Sequence, residues 1–566
     1  MTASDREPPT SVDALVIGAG AGGMTAALVC ALEGLDVLLC ERSAQVGGTT
    51  ATSAGTIWVP GTKLARDAGH TDTIADARRY LDAVVGPAPD NRRDVYLETG
   101  KDVVEYLAQR TEVKFFPYVK HPDYQANRPG STVAGRPLAP VPFDGRLLGD
   151  DFKLLRPPIG EFMALGGMMI GRDDIEPLTR PFGSLASFRK AMSLLWRQAT
   201  DRLRYPRGTR LLMGNALAGR LLASLKAQRV SIRVNTRLQE LIVENGRVTG
   251  AVVNADGTQQ RITARRGVII ATGGTGGSVE RMNDYVRPKL ADAVAFESAD
   301  GDGIRIAKAA GAAIEDDHAS PMFWSPVSRT PWLKGGRGTY PHILLDRAKP
   351  GLIAVNTAGR RFVDEALSYH DFVAGMHRSH ETVQSIPAWL ICDHEFMHKY
   401  GLGRIPPGRR SFGWAVKNGY LVEASSLEGL AKAIGVDAAG LSDSVARNNR
   451  YALSGEDTDF GKGSTEFDRN NGDPKHAPNP CLGPISMAPY YAMAVYPSTL
   501  GSSVGLKCDA DGRVLGSNGA PIAGLFACGN DMASIMRGTY PGPGITIGPA
   551  MVFGWRAAMA IAGKTG

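Results

Sequence analysis

The sequence predicts an α/β protein in which helices cover a parallel sheet and a mixed α+β unit interrupts the chain of that sheet. Three observations predict it. An apolar run at residues 13–17 leads through a glycine-rich turn into a helical stretch at 24–34. Two later apolar runs, at 269–274 and 524–530, also end in glycine. Between about residues 320 and 496 the pattern changes to mixed strands and helices.

The composition indicates a globular chain and excludes several classes of protein. Of 566 residues, 43% are hydrophobic and 21% are charged, and the 68 glycines and 35 prolines stay below the level typical of disorder. The six cysteines form no C-x-x-C pair, which argues against zinc ribbons, iron–sulfur clusters and a disulfide framework. The net charge of +7 is spread along the chain, so we expect no nucleic-acid partner.

The sequence contains no recognisable targeting or membrane-spanning segment. Its first fifteen residues carry acidic residues and prolines where a signal peptide requires a basic start and an apolar core. The apolar run at 162–171 is about half the length of a spanning helix. We therefore expect a cytoplasmic protein, with at most peripheral contact to the inner face of a membrane.

The first strand, turn and helix predict a dinucleotide site of the Rossmann type. Gly18 permits the tight turn, Gly20 lets a pyrophosphate approach the backbone, and Gly23 lets the helix pack closely on the strand. The helix N-terminus adds amide donors and a positive dipole. A second strand at 36–40 ends in Glu41, where a carboxylate accepts hydrogen bonds from ribose hydroxyls.

The stretch that follows favours FAD over NAD. Residues 42–62 form a second segment rich in glycine and hydroxyl groups, able to wrap a longer cofactor. It resembles the FAD-binding segment of the fumarate reductase and succinate dehydrogenase flavoprotein superfamily, and residues 524–530 and 269–274 resemble that superfamily's other two FAD signatures. The predicted cofactor-binding residues are Gly18, Gly20, Gly23, Glu41, Arg42, Gly47, Gly48, Thr49, Thr50, Ser53, Gly55, Ala271, Thr272, Gly273, Gly529, Asn530, Gly544 and Ile545.

The resemblance also implies how the cofactor is held and how the chain is divided. Relatives that attach FAD covalently carry a histidine before the glycine-rich loop, and this sequence has none there, so we expect dissociable, non-covalent FAD. We predict an FAD-binding domain from residues 1–320 and 496–566, and a substrate domain that caps it from 321–495. No metal site is expected, because no histidine shows metal-ligand spacing.

Local patterns predict the main elements between the signatures. A helix is expected at 208–225, and strands at 230–234, 240–244 and 248–253, with Glu244, Asn245 and Gly246 in a hairpin turn. One helical stretch is expected at 427–453.

Residues 150–207 are a predicted insertion that could contact a membrane. A helix at 187–204 places Phe188, Met192, Leu195, Ala199 and Leu203 on one face, with basic residues around the other. Such a helix either lies on an anionic membrane surface or packs on its own protein.

Residues 356–371 resemble the N-x-x-G-x-R-F-x-x-E segment of fumarate reductases, which carry a proton-donating arginine four residues after the glutamate. Here the residue four after Glu365 is Tyr369. A phenol with a reference pKa of about 10 can lose a proton in a suitable environment, whereas arginine cannot. Arg537 is a single candidate for binding a substrate carboxylate, and one cation does not make a dicarboxylate pocket.

The segments GGTTATSAGTIWVPGT, GRRFVDEALSY and TYPGPG closely resemble motifs of the 3-ketosteroid Δ1-dehydrogenase family. The resemblance implies that the Tyr540 hydroxyl and the Gly544 N–H bind the steroid C3 carbonyl, as an oxyanion hole. It implies that Tyr369 is the base. The family's remaining tyrosine, which assists the base, maps onto Tyr124, with Tyr118 as the rival.

The family resemblance predicts an FAD-dependent 1,2-desaturation of 3-ketosteroids: a C2 proton goes to Tyr369 and a C1 hydride goes to flavin N5. The expected partners are the steroid and an external electron acceptor such as a quinone. Two alternatives stay open from the sequence: a 3-ketosteroid Δ4-(5α)-dehydrogenase and a fumarate-reductase-like reductase of an unsaturated acid. A non-catalytic flavoprotein is the rival from another class.

Overall fold

The computed structural model describes residues 10–290, 297–330, 338–343, 346–409 and 411–564. Its strands are β1 (Ser11–Ile17), β2 (Val37–Cys40), β3 (Ile57–Trp58), β4 (Phe115–Pro117), β5 (Pro137–Pro140), β6 (Phe143–Asp144), β7 (Met163–Ala164), β8 (Met168–Met169), β9 (Arg210–Leu211), β10 (Ser231–Arg233), β11 (Thr236–Glu244), β12 (Arg247–Ala255), β13 (Thr258–Ile270), β14 (Ile314–Glu315), β15 (Met322–Thr330), β16 (Gly338–Pro341), β17 (Leu352–Val355), β18 (Ala388–Asp393), β19 (Val422–Ala424), β20 (Tyr490–Ser502), β21 (Gly505–Leu506), β22 (Arg513–Leu515) and β23 (Pro521–Ala527).

The α-helices are α1 (Ala21–Leu32), α2 (Lys63–Asp67), α3 (Ile74–Val85), α4 (Arg92–Arg110), α5 (Arg172–Thr179), α6 (Leu185–Arg202), α7 (Met213–Ala227), α8 (Val279–Met282), α9 (Asp302–Ala309), α10 (Tyr369–His380), α11 (His394–Lys399), α12 (Gly413–Lys417), α13 (Leu427–Ile434), α14 (Ala438–Ser454), α15 (Glu466–Asn471) and α16 (Ile547–Ile561).

The larger sheet has a parallel centre, as the sequence predicts for an α/β fold. Strand β1 pairs in parallel with β2 on one side and β13 on the other, and β23 pairs in parallel with β13. Strands β11 and β12 form an antiparallel hairpin added to β13, and its turn has Asn245 and Gly246 at positive φ. The buried apolar residues of β1 and β2 explain their central place, since parallel strands are covered on both faces.

A second, mostly antiparallel sheet forms the inserted unit. Strands β16, β15, β20, β18 and β17 pair in that order, and β19 adds to β20. Strand β20 crosses the predicted boundary at residues 495 and 496, so the chain returns to the first unit after Ser502. The α/β fold class with an inserted α+β unit is confirmed. The division into two domains stays a prediction.

Two predicted helices have different bounds in the structure. The helix expected at 208–225 begins at Met213, because Arg210 and Leu211 pair as β9 with β6 and Leu212 is extended. The stretch expected as one helix at 427–453 is two helices, α13 and α14. Gly435 adopts a left-handed conformation that ends the first, and the Asp437 side chain caps the second.

Helix α6 packs on the protein through a different face from the apolar one that the sequence pattern defines. Ala191, Leu194, Gln198 and Asp201 are buried against the protein, while the apolar residues of the predicted face are exposed to solvent. Asp201 is buried because it accepts hydrogen bonds from Thr209 and Arg146. No helix among the described residues is long and apolar enough to cross a membrane.

Candidate active site

One continuous cavity of about 1360 Å³ connects the glycine-rich turn after β1 with a cluster of tyrosines. Its lining comes from the turn before α1, the segment before β3, the ends of β13 and β23, and the residues around Tyr369 and Tyr540. These segments are far apart in sequence, and the carboxyl ends of the parallel strands bring the glycine-containing ones together.

The glycine turn has the backbone that a dinucleotide site requires. Gly18 has φ of +106°, and a Cβ there would overlap the carbonyl of Ala271 at the end of β13. A Cβ at Gly23 would overlap the Gly18 carbonyl. These two glycines therefore permit the close approach of β1, α1 and β13.

The open side of this turn fits FAD. Gly20 lines the cavity, and a Cβ built on it meets no atom within 4 Å, so this backbone faces empty space. The Thr50 hydroxyl accepts from the Ala21 N–H at the start of α1, and the Glu41 carboxylate accepts from the Ala19 N–H at 2.9 Å. Both side chains stay on the cavity wall, where cofactor phosphates and ribose hydroxyls can reach them.

Most of the predicted cofactor residues line this cavity: Gly18, Gly20, Gly23, Glu41, Arg42, Gly48, Thr49, Thr50, Ser53, Gly55, Ala271, Thr272, Gly273, Gly529, Asn530 and Gly544. Gly47 and Ile545 are not on its wall. Gly47 packs against Ala51, where a Cβ would lie only 2.8 Å away, and the Ile545 side chain is buried in the core. Gly47 instead supports the segment by donating its N–H to the Ala19 carbonyl.

An acidic group at this end of the cavity was not among the residues predicted from the sequence for the cofactor site. Asp300 and Asp302 line it and form ion pairs with Arg42 and Arg237. Asp531, directly after Asn530, accepts from the Thr272 hydroxyl and the Gly273 N–H at 2.8 Å each. The acidic, glycine-containing turn before α9 could have indicated Asp300 and Asp302. Nothing in the sequence pattern, however, connected this turn with Arg42.

The structure brings together the three tyrosines that the family resemblance implicates. The Tyr124 hydroxyl donates to that of Tyr369 at 3.1 Å. The Tyr540 ring stacks on Tyr124, with centroids 5.6 Å apart, and meets Tyr369 edge-on at 5.1 Å. All three are buried and line the cavity.

Burial sets the protonation of this cluster. It raises the pKa of Tyr369 and of Tyr124 well above the usual value for a phenol, and the neighbouring tyrosines add to the rise at Tyr369. Burial also raises the pKa of Tyr540, and the hydroxyls of Tyr369 and Thr546 offset part of that rise. Each phenol is therefore neutral at pH 7 in the free protein.

Tyr369 is the first residue of α10, and the Ser368 hydroxyl caps that helix by accepting from the Asp371 N–H. Helix N-termini carry a partial positive charge that favours a developing anion. The preceding Arg361 and Glu365 form a buried, bidentate ion pair with N–O distances of 2.8 Å, which anchors the segment leading to Tyr369. Arg361 and Glu365 of the fumarate-reductase-like motif thus have a structural role in this protein.

Gly544 occupies a position that only glycine fits. It has φ of +94°, and a Cβ there would lie 2.5 Å from the Thr56 carbonyl oxygen. Its carbonyl accepts from the Trp58 and Gly548 N–H groups, and the residue lines the cavity four positions after Tyr540.

Two other residues singled out by the sequence do not take the roles considered for them, although Tyr118 lines the same cavity. The Tyr118 hydroxyl is 3.3 Å from that of Thr56, and Tyr124 rather than Tyr118 bonds to Tyr369. Arg537 is not on the cavity wall. It pairs with Glu315 and Asp317 at 3.2 and 2.8 Å, so it forms no carboxylate pocket for a reductase substrate.

Fold and site together define a flavoprotein. Residues 13–547 match the model of the FAD binding domain family, and the chain belongs to that family. FAD as the cofactor is thereby confirmed.

Several of the individual proteins to which the chain is similar are dehydrogenases of cyclic ketones. The chain is 38% identical to a 4-oxocyclohex-2-ene-1-carboxylate 5-dehydrogenase of Sinomonas cyclohexanicum, over 97% of this chain and 93% of that protein. It is 36% identical to a 3-oxosteroid 1-dehydrogenase of Mycobacterium tuberculosis H37Rv, over 98% and 99%. The crystal structure of 3-ketosteroid Δ1-dehydrogenase from Sterolibacterium denitrificans with 1,4-androstadiene-3,17-dione shares 36% identity at a TM-score of 0.91, covering 98% and 100%. These relatives confirm the family resemblance seen in the sequence.

We predict that Gly20→Val abolishes tight FAD binding without unfolding the chain. Gly20 has φ of −79°, which any residue adopts, and its Cβ would enter the space beside the cofactor phosphates. We expect the FAD dissociation constant to rise at least about tenfold, or roughly 1.4 kcal/mol, measured by flavin fluorescence on apoprotein. Gly413→Ala, at the start of α12 and off the cavity wall, is the matched control. Unchanged affinity in Gly20→Val would contradict the assignment.

Proposed function

We propose that this protein is an FAD-dependent dehydrogenase that introduces the 1,2 double bond into a 3-ketosteroid. The observation that carries the proposal is the meeting of Tyr124, Tyr369 and Tyr540 beside Gly544, on the same cavity as the nucleotide turn. The resemblance to a Δ1-dehydrogenase solved with its dienone supports it.

Within this proposal, residues 1–320 and 496–566 form the FAD-binding domain and 321–495 the substrate domain, with β20 shared across the second boundary. The dinucleotide part of FAD would be held by the Gly18 turn, Glu41 and Arg42. Its ring would lie towards Thr49, Gly55 and Gly544, where the cavity continues to the tyrosines.

The substrate carbonyl would be bound by two donors. Tyr540 and Gly544 both line the cavity. The Tyr540 hydroxyl and the Gly544 N–H would be these donors, and two donors on one oxygen form an oxyanion hole. As the proton next to the carbonyl leaves, negative charge moves to this oxygen. Each donor in such a site contributes about 3–4 kcal/mol to the transition state.

Tyr369 would take the C2 proton, and Tyr124 would accept part of the charge through its hydrogen bond. In the free protein this bond raises the pKa of Tyr369. Once Tyr369 has lost its proton, the Tyr124 O–H donates to the phenolate and stabilises its charge. The start of α10 acts in the same direction. The apolar, buried surroundings keep water from competing for the proton.

When bound, FAD supplies the acceptor for the hydride that leaves C1. Loss of a proton from C2 and a hydride from C1 leaves the C1=C2 bond, and an external acceptor such as a quinone must then remove the two electrons.

A second candidate is the dehydrogenation of a monocyclic oxo acid. The 38% identity to the Sinomonas enzyme, whose name gives a 4-oxocyclohexene carboxylate as its substrate, favours it. The same tyrosines would serve a ring ketone of either size, since the chemistry is identical next to the carbonyl. Lys349 and Arg404 line the cavity and offer positive charge for a carboxylate. Comparing flavin reduction by 4-androstene-3,17-dione and by the oxo acid separates the two candidates.

We predict that Tyr369→Phe lowers the rate constant of anaerobic flavin reduction by a 3-ketosteroid about 10²–10⁴-fold, because the base is lost. FAD should stay bound. The measurement is stopped-flow absorbance of the flavin, with the 1,4-diene product identified for the wild-type protein. Tyr420→Phe, a buried tyrosine bonded to Ser328 instead, should stay within about threefold. Near-normal reduction in Tyr369→Phe would remove this residue from the role of base.

We predict that the same rate constant rises with pH. Burial raises the pKa of Tyr369 above its usual value, so the fraction present as phenolate is small at pH 7 and grows as the pH approaches that pKa. The logarithm of the rate should increase between about pH 7 and pH 9 with a slope of up to one. A rate that stays constant or falls across this range, with FAD content unchanged, would contradict a tyrosine base.

We further propose that the segment 150–207 touches a membrane surface. The apolar patch consists of Phe182, Leu185, Trp196 and Leu203, with exposed fractions of 65% to 89%. Exposed Arg189, Arg202 and Arg204 lie in or beside α6 and suit anionic headgroups. Residues of the same segment, including Ile175 and Lys190, line the cavity, which would let an apolar substrate enter from lipid.

The patch can be tested by co-sedimentation with vesicles of phosphatidylglycerol and phosphatidylcholine. We predict that the triple variant Phe182→Ser, Trp196→Ser and Leu203→Ser loses most of the vesicle-bound fraction, because the apolar area that enters the lipid is removed. Leu453→Ser, equally exposed on α14, is the control. Equal binding by the triple variant and the wild type would overturn the proposal.

A further inference from the structure

A cluster of four side chains lies directly behind the tyrosines and does not reach the cavity. Trp58, Tyr80, Asp123 and Arg136 are completely buried, and none of them lines the cavity wall. They come from β3, α3, the loop after β4 and the residue before β5. Contact with substrate or cofactor is therefore not their role.

Arg136 holds the cluster together. It donates to Asp123 at 2.6 Å and to the two oxygens of Asp72 at 2.7 and 3.0 Å. Its guanidinium carbon lies 5.3 Å from the ring centres of both Trp58 and Tyr80, which is cation–π distance. Trp58 also donates its ring N–H to Asp123 at 2.8 Å. Every charge in the cluster is paired, as burial requires.

The cluster is bonded to both sides of the tyrosine site. The Tyr80 hydroxyl donates to the Pro541 carbonyl at 2.6 Å and accepts from the Gln125 N–H at 3.2 Å. Pro541 directly follows Tyr540, and Gln125 directly follows Tyr124. The Tyr80 hydroxyl thus reinforces a direct backbone contact between the two segments, in which the Tyr124 N–H donates to the Pro541 carbonyl at 2.9 Å.

The other members complete the attachment. The backbone N–H of Trp58 donates to the Gly544 carbonyl at 3.3 Å, and Asp123 immediately precedes Tyr124. A Cβ on Gly542 would lie 2.7 Å from the Trp58 ring, so the loop between Tyr540 and Gly544 sits tightly on the cluster.

Buried ion pairs of this kind seldom raise the free energy of unfolding, because the cost of removing the charges from water offsets their attraction. Apolar side chains of equal volume stabilise a core at least equally well. What a satisfied polar network does provide is a fixed geometry, because its bonds are directional and the low dielectric strengthens them. Oxyanion donors and bases lose much of their effect when displaced by about 0.5–1 Å.

We infer that Trp58, Tyr80, Asp123 and Arg136 are positioning residues, which hold the Tyr124 hydroxyl and the donors of Tyr540 and Gly544 in one fixed arrangement. Tyr80 is the member through which the two loops are coupled most directly. The inference rests on the proposed function, because it concerns the rate of the dehydrogenation.

The test is a double-mutant cycle on flavin reduction with Tyr80→Phe and Tyr124→Phe. Tyr80→Phe removes one oxygen and keeps the ring under Arg136, so the fold should survive. We expect it to lower the rate constant about tenfold at saturating steroid, with the steroid dissociation constant within about twofold. In the Tyr124→Phe background the same change should cost less than about threefold, because residues that act on one another are not additive.

Tyr106→Phe is the matched control, since its hydroxyl is also hydrogen-bonded, to Glu33, but its ring packs against Trp555 and does not line the cavity. A Tyr80→Phe effect of equal size in both backgrounds, or a lowered melting temperature with an unchanged reduction rate, would overturn the positioning role. Failure of the wild-type protein to be reduced by a ketosteroid would instead overturn the proposed function, so the two failures are distinguishable.

Discussion

The close backbone approach at Gly544 is the constraint on which the rest of the site depends. Strand β3 and the loop after Tyr540 can meet there only because Gly544 has no side chain. The hydrogen bond from the backbone N–H of Trp58 to the Gly544 carbonyl then fixes the separation of the two segments. Helix α16 begins three residues after Gly544. As a result, an N-terminal segment that carries FAD-binding residues and a C-terminal segment that carries Tyr540 form one wall of the cavity.

The chemistry of the site follows from the three buried phenols that meet at its centre. Three buried tyrosines can be neutral together, whereas a buried arginine would need a permanent counter-ion. Arg537, the cation that the sequence offered for a substrate carboxylate, pairs with Glu315 and Asp317 and does not line the cavity. A neutral, apolar site of this kind suits a ring ketone, whose charge appears only as the proton leaves.

The sequence predicted the parts of the site that depend on local rules. Gly18, Gly20 and Glu41 belong to one strand–helix–strand unit, and Tyr369 and Tyr540 lie within short motifs. Periodicity also located α6, but it could not tell which face packs on the protein. The buried face contains Asp201, whose burial depends on partners outside the helix, Thr209 and Arg146. The positioning cluster could not be predicted either, because its members span residues 58 to 136 and meet only in the folded chain.

The most direct test of the account is a crystal structure of the protein with FAD and 1,4-androstadiene-3,17-dione. The account predicts that the C3 carbonyl oxygen lies within hydrogen-bond distance, about 2.7–3.1 Å, of both the Tyr540 hydroxyl and the Gly544 nitrogen. It also predicts that C2 lies next to the Tyr369 hydroxyl and C1 next to the flavin N5. A carbonyl bound elsewhere, or a ring turned so that C2 faces away from Tyr369, would contradict it.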